Sequence, residues 1–193
     1  GTDVGVIILN TNLAGAAAAL VAYLHSFVFQ NKANIYEKML GGALGGLVAI
    51  TASPHIQTPL TSLAIGAIAG VIHNLSFDML TKKWKIDDAV GAIPVHGFCG
   101  IFGTLAVALF APAETLPNGR LTQFGVQLIG VVTCFIWAGG IGYAMFYLLK
   151  KTVGLRVSPD EERKGIMLYH VKEEESESDP SDEELLELMK EMN

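Results

Sequence analysis

Apolar and charged positions along this chain are segregated rather than interleaved. Asp, Glu, Lys and Arg are absent from residues 4–31, 39–77, 89–113 and 121–149, runs of 28, 39, 25 and 29 residues. A helix needs roughly 20 apolar residues to cross the hydrocarbon core of a bilayer, so each run is long enough to span. The first run predicts a helix over about 4–24. The second is too long for one crossing and is interrupted by Ser53-Pro54-His55-Ile56-Gln57-Thr58-Pro59. Each of its two prolines removes a backbone donor and fixes φ, which marks a turn. Thr58 followed by Pro59 also reads as an N-cap and a first helical position. Helices are therefore predicted over about 35–52 and 59–80. A fourth, over about 89–111, opens after Asp87-Asp88, whose carboxylates suit a helix N-terminus, and closes at Ala111-Pro112. A fifth runs over about 121–149. The pattern predicts an all-α membrane protein with five transmembrane helices in residues 1–151, followed by an acidic C-terminal tail, 152–193. A water-soluble globule with four such stretches would have no charged face to solvate, so a soluble enzyme is excluded.

The loops orient the spans. One set of connections holds Lys32, Lys38, Lys82, Lys83, Lys85, Lys150, Lys151, Arg156, Arg163 and Lys164, while the opposite set holds only Arg120. This positive-inside bias puts the tail in the cytoplasm and the N-terminus outside, in a multi-pass protein.

Composition refines the picture. The net charge of −6 averages over two unlike parts: residues 152–193 carry 13 acidic and 5 basic side chains, the rest 6 acidic and 8 basic. The body is near neutral, and no basic surface for nucleic acid is present. Cys99 and Cys134 both fall inside apolar runs and read as buried free thiols rather than a disulfide. Glycine clusters in the helices (Gly41, Gly42, Gly45 and Gly46; Gly66 and Gly70; Gly97, Gly100 and Gly103), and small residues three and four apart let helices approach closely in lipid. In the tail, Lys172–Asp182 reads as a solvated, disordered acidic run. Ser181-x-x-Glu184 reads as a capping box opening a short amphipathic helix.

The residue with chemistry is His96. It lies eight residues past Asp88, about 12 Å of helical rise, deep in the apolar stretch. An ionisable side chain there is costly and faces a cavity or a partner, and Pro94 two residues earlier is positioned to kink the helix. Imidazole both donates and accepts a proton near neutral pH. A transport or relay role and a hydrogen-bonded structural role both remain open on these grounds. His25, His55 and His73 fall at predicted helix ends or in a loop, where interfacial solvation accounts for them. Asn10 and Asn12 read as interhelical hydrogen-bond donors. No spacing supplies a metal site around His96 and Cys99, and no cofactor motif is present.

The stretch Ile86-Asp87-Asp88-Ala89-Val90-Gly91-Ala92-Ile93-Pro94-Val95-His96-Gly97-Phe98-Cys99-Gly100-Ile101-Phe102-Gly103-Thr104-Leu105 closely resembles the D-D-x-x-x-x-x-x-V-H-G-x-x-G-x-x-G signature of the ammonium transporter (Amt/Mep/Rh) family. Asn10-Thr11-Asn12-Leu13-Ala14, Gly45-Gly46-Leu47-Val48-Ala49-Ile50-Thr51-Ala52 and Thr152-Val153-Gly154-Leu155-Arg156-Val157 match in the same order. The resemblance implies the last five helices of an eleven-helix fold that assembles as a homotrimer with one pore per subunit. It implies that His96 is the second of a twin-histidine pair, with Ala92, Val95 and Cys99 lining the same apolar pore. Ammonium would give up its proton outside and ammonia would cross, the histidines aiding proton passage. A dry constriction rejects bare cations through their desolvation cost, which agrees with that scheme. The first pore histidine belongs to helices outside these 193 residues, so a missing N-terminal half, in a longer protein or a companion chain, is expected to complete the pore. Lys82, Lys83, Gly154 and Arg156 are the residues through which a PII-type signal protein would act at the cytoplasmic side. Gly91 in place of a carboxylate, and the stretch after Gly165, depart from the family pattern there. An ammonium sensor, the same membrane body leading to an output domain, is the alternative reading.

Overall fold

The computed structural model describes residues 3–30, 32 and 34–164, which divide into two units, residues 1–138 and 139–193. All described regular structure is helical: α1 (Val4–Phe29), α2 (Ile35–Ile50), α3 (Pro59–Asp78), α4 (Cys99–Phe110), α5 (Gly119–Thr152) and the short α6 (Pro159–Lys164). A π-helical turn, Met79–Trp84, extends α3, and another, Ile93–Phe98, leads into α4.

The helix starts follow local chemistry. Asp3 caps α1, its carboxylate accepting from the Gly5 amide at 2.9 Å. Thr58 caps α3 in a reciprocal box with Thr61, and Pro59 takes the first turn, where its missing N–H costs nothing. Helix α1 runs five residues past the predicted end, because His25–Phe29 holds no breaker. Helix α2 stops at Ile50 rather than 52: the Thr51 amide bonds the Val48 carbonyl and the Ser53 amide the Ile50 carbonyl, tightening the chain into the turn before Pro54.

Val4–Phe29, Pro59–Trp84, Ile93–Phe110 and Gly119–Thr152 are each long and apolar enough to cross a membrane. Helix α2, at 16 residues, rises only about 24 Å and falls short of that length.

In the first unit α1, α2 and α3 pack through small residues. Ala14, Ala18 and Ala22 form a stripe on α1, and glycines of both other helices press against it. A Cβ at Gly70 of α3 would lie 2.5 Å from the Ala18 carbonyl oxygen, and one at Gly46 of α2 would lie 2.6 Å from that of Ala14. The glycine pattern is thus the means of close helix approach. Asn10, fully buried, ties α1 to the α2–α3 turn by donating to the Pro54 and Gln57 carbonyls at 2.9 and 2.7 Å. Asn12 bonds only the Ile8 carbonyl of its own helix. Arg120 donates to the Ala108 and Leu109 carbonyls at 3.0 Å, supplying donors to the last turn of α4. None of the described residues of α5 is buried; Cys134, expected to be buried, is exposed, whereas Cys99 is buried.

In the second unit the end of α5 is set by Gly154. Its φ of +84° is open to glycine, and the Val153 and Gly154 amides both return to the Leu149 carbonyl at 3.0 Å. Arg156 donates to the Glu162 carboxylate, which raises the guanidinium pKa further. The acidic run and the Ser181 capping box lie outside the described residues.

Candidate functional site

Residues 85–98 are built around a delayed helix start. The chain leaves the first π turn at Lys85, in the left-handed region (φ 53°), and the Ile86 amide reaches back to the Leu80 carbonyl at 3.0 Å. It turns again at Gly91, whose φ of +65° favours glycine over any carboxylate-bearing residue. Helical geometry begins only after that, four residues later than the charge pattern predicts. Asp88 is the cap: one carboxylate oxygen accepts from the Ala92 amide at 2.9 Å and the other from the Ile93 amide at 2.8 Å. His96 therefore sits four residues into the helix, about 6 Å of rise rather than 12.

Pro94 then shapes the helix around His96. It has no N–H to donate, and the turn opens to π geometry over Ile93–Phe98, the Cys99 amide bonding the Pro94 carbonyl. Such wide turns inside helices recur at functional sites.

The four residues expected to share a pore face separate into two pairs. His96 and Ala92 lie on an exposed face, and the imidazole finds no hydrogen-bond partner among the described residues. Val95 and Cys99 are buried on the opposite, packed face. The Cys99 thiol donates weakly to the Ala69 carbonyl at 3.5 Å, and a Cβ at Gly45 would lie 2.9 Å from its sulfur. Lys82 and Lys83 are exposed on the π turn after α3; Gly154 and Arg156 belong to the second unit, where the one ends α5 and the other pairs with Glu162.

Two further buried polar groups, Lys38 and His73, lie elsewhere, and neither is expected inside the protein from the sequence alone. Lys38, one of the cations that the loop bias places at the cytoplasmic side, is fully buried; its ammonium donates to the Asp78 carboxylate at 2.6 Å and to the Gln30 side-chain oxygen at 2.9 Å. His73, expected at an interface, is 1% exposed within α3. The Asn74 amide nitrogen donates to the Ala22 carbonyl at 2.7 Å, which turns its oxygen toward His73 Nδ1 at 3.3 Å, while His25 Nδ1 stands 3.4 Å from that nitrogen. The imidazole edge of His73 also fills the space beside Gly41. The sequence holds one signal of this: Lys38 and Asp78 are the two charges that bracket the longest apolar run.

A multi-pass helical membrane protein with a histidine on a broken span is the class these features define. The chain belongs to the Ammonium Transporter Family, whose profile matches residues 2–176. It is 42% identical over 175 residues to Ammonium transporter Amt2 of Archaeoglobus fulgidus, a match covering 84% of this chain and 37% of the relative. It is 30% identical over 178 residues to Ammonium transporter 1 member 1 of Arabidopsis thaliana, covering 84% and 35%. Among solved structures it superposes on one named Sensor Amt Protein with a TM-score of 0.79 at 40% identity, covering 84% of this chain and 40% of the other. Candida albicans Mep2 follows the same fold, with a TM-score of 0.71 at 25% identity over 81% and 37%. The chain thus spans about two-fifths or less of the length of these relatives, of which the first two are named as transporters and the third as a sensor.

Proposed function

We propose that this chain forms the C-terminal part of an ammonium transporter subunit and that His96 and Ala92 line its pore. The observation that carries the reading is the free, exposed imidazole on the π turn of a membrane-spanning helix, in a chain of this family. Val95 and Cys99 are its backing: their burial holds the turn against α2 and α3, so that the opposite face meets the lumen. The rest of the wall, with a second histidine facing His96, comes from helices outside these residues.

In this reading the lumen is apolar beside Ala92, and a bare ammonium ion entering it loses hydration without recompense. Passage then requires the proton to part from the amine. His96, a group that takes and returns a proton near neutral pH, carries it along the wall while ammonia moves through. The substrate is ammonium or ammonia, the assembly a homotrimer, and no cofactor takes part. Residues 1–151 form the membrane body in the plasma or inner membrane, and 152–193 extend into the cytoplasm, where Lys82, Lys83, Gly154 and Arg156 offer contacts to a PII-type protein.

The test is uptake of labelled methylammonium in a host without its own ammonium transporters, for the protein as encoded by its gene and for His96→Ala. The variant is expected to lose or change transport at equal membrane abundance; unchanged transport removes the assignment. The sensor reading is favoured by the likeness to Sensor Amt Protein. Ammonium binding that alters the tail's environment with no uptake would select it.

A further inference from the structure

Lysine is among the side chains least often buried in proteins, yet Lys38 is buried completely. Its ammonium joins three helices: Gln30 follows α1, Lys38 opens α2 and Asp78 ends α3. It donates to Asp78 Oδ1 at 2.6 Å and to Gln30 Oε1 at 2.9 Å, and it stands 5.5 Å from the centroid of the Phe77 ring, whose face accepts the remaining positive charge. The second oxygen of Asp78 takes Lys82 at 3.0 Å. Desolvation offsets much of the attraction within such a pair, so an apolar pair of similar volume would hold the helices together as well or better. What the charges add is direction.

That direction falls at a break in the backbone. Asp78 is the last α-helical residue of α3, and the π turn begins at Met79. One carboxylate oxygen is held by the neighbouring helix and the other by Lys82 inside the turn, so Asp78 is tied on both sides of the point where α geometry passes into π geometry. Beyond it come the Ile86–Leu80 backbone bond and the two bonds from Asp88 to the amides of Ala92 and Ile93. A short series of fixed points thus runs from Lys38 to the first turn of the helix that carries His96.

We propose that Lys38 and Lys82 are positioning residues: by holding the two carboxylate oxygens of Asp78 at the α-to-π junction of α3, they set where Asp88 starts the His96 helix and how that helix presents its exposed face. The proposal rests on the pore reading for its consequence in transport but not for its geometry.

Two variants test it in the protein as encoded by its gene. K38M/D78M removes both charges and so leaves no lone buried carboxylate; K82Q changes an exposed side chain and leaves the Lys38–Asp78 pair in place. Both are expected to assemble and to lower the maximal methylammonium uptake rate, about tenfold and threefold respectively, with KM within twofold of the parent. Normal rates per folded protein in either variant overturn the proposal, as does a K38M/D78M variant in which melting temperature and rate are both those of the parent. A second readout needs no transport: in a C134S background, the rate at which A92C reacts with a small thiol reagent is expected to change threefold or more when K38M/D78M or K82Q is added. An unchanged labelling rate overturns the positioning role, whereas changed labelling in a protein that never transports overturns only the pore reading. Should K38M/D78M not assemble, K82Q decides by both readouts.

Discussion

Substituting Gly66 by alanine tests the close packing on which the fold depends. An ideal Cβ at Gly66 would lie 2.7 Å from Ala14 Cα and 2.8 Å from the Ala14 carbonyl carbon. These are backbone atoms of α1, so no rotamer change relieves the overlap and the two helices must part. Overpacking a well-filled site costs about 1–3 kcal/mol, and a backbone-on-backbone clash belongs at the upper end. Alanine returns about 1 kcal/mol of helix propensity relative to glycine. The expected net loss is about 2 kcal/mol, or roughly 4–8 °C in melting temperature for a chain of this size. Gly130→Ala is the control, since a Cβ there meets nothing within 4 Å. It receives the propensity gain alone and should melt at or slightly above the parent. The assay is thermal unfolding of the detergent-solubilised protein followed by loss of the monodisperse elution peak. A Gly66→Ala protein that melts within about 1 °C of the parent would refute the reasoning, because α1 and α3 would then not be held at the distance the structure gives.

Local contacts set three further outcomes. Asp88→Ala removes the acceptor for two amides and should cost about 1–2 kcal/mol of cap stability, read as faster hydrogen exchange at Ala92 and Ile93 with little change elsewhere. Gly91→Ala forces a side chain into the left-handed region at φ +65° and should cost about 1–2 kcal/mol, seen as a lower melting temperature although a Cβ there meets no neighbour. Asn10→Ala leaves the Pro54 and Gln57 carbonyls without their side-chain donor and should cost about 1–3 kcal/mol, with increased proteolysis in the 53–58 turn as the sign that this turn has come loose.

Much of the fold is legible because it is written in one-dimensional terms. Charge-free runs give the long helices, the Pro54–Pro59 break gives the turn between α2 and α3, and Thr58-Pro59 names the capping geometry that the structure adopts. The glycine spacing likewise points to close approach, which the Ala14–Ala18–Ala22 stripe receives. The illegible part depends on the third dimension. Lys38 and His73 look like interfacial residues in the sequence, because only packing decides that a cation near a helix end turns inward to a carboxylate forty residues on. The start of the His96 helix differs from expectation because the charge pattern places Asp88 directly before the helix. Its side chain instead caps amides four and five residues later, across the left-handed turn at Gly91. The division of Ala92 and His96 from Val95 and Cys99 is equally hidden, since the chain carries all four on one apolar helix and the packed face is chosen by α2 and α3.

The central claim, that the face bearing His96 and Ala92 borders the conducting path, is tested most directly by blocking that face. In a C134S background, A92C and V95C are each treated with a small methanethiosulfonate reagent while methylammonium uptake is followed. The account predicts rapid modification and loss of uptake for A92C, and uptake that persists for V95C, whose side-chain position is packed against the neighbouring helices. Uptake that survives complete modification of A92C would contradict it.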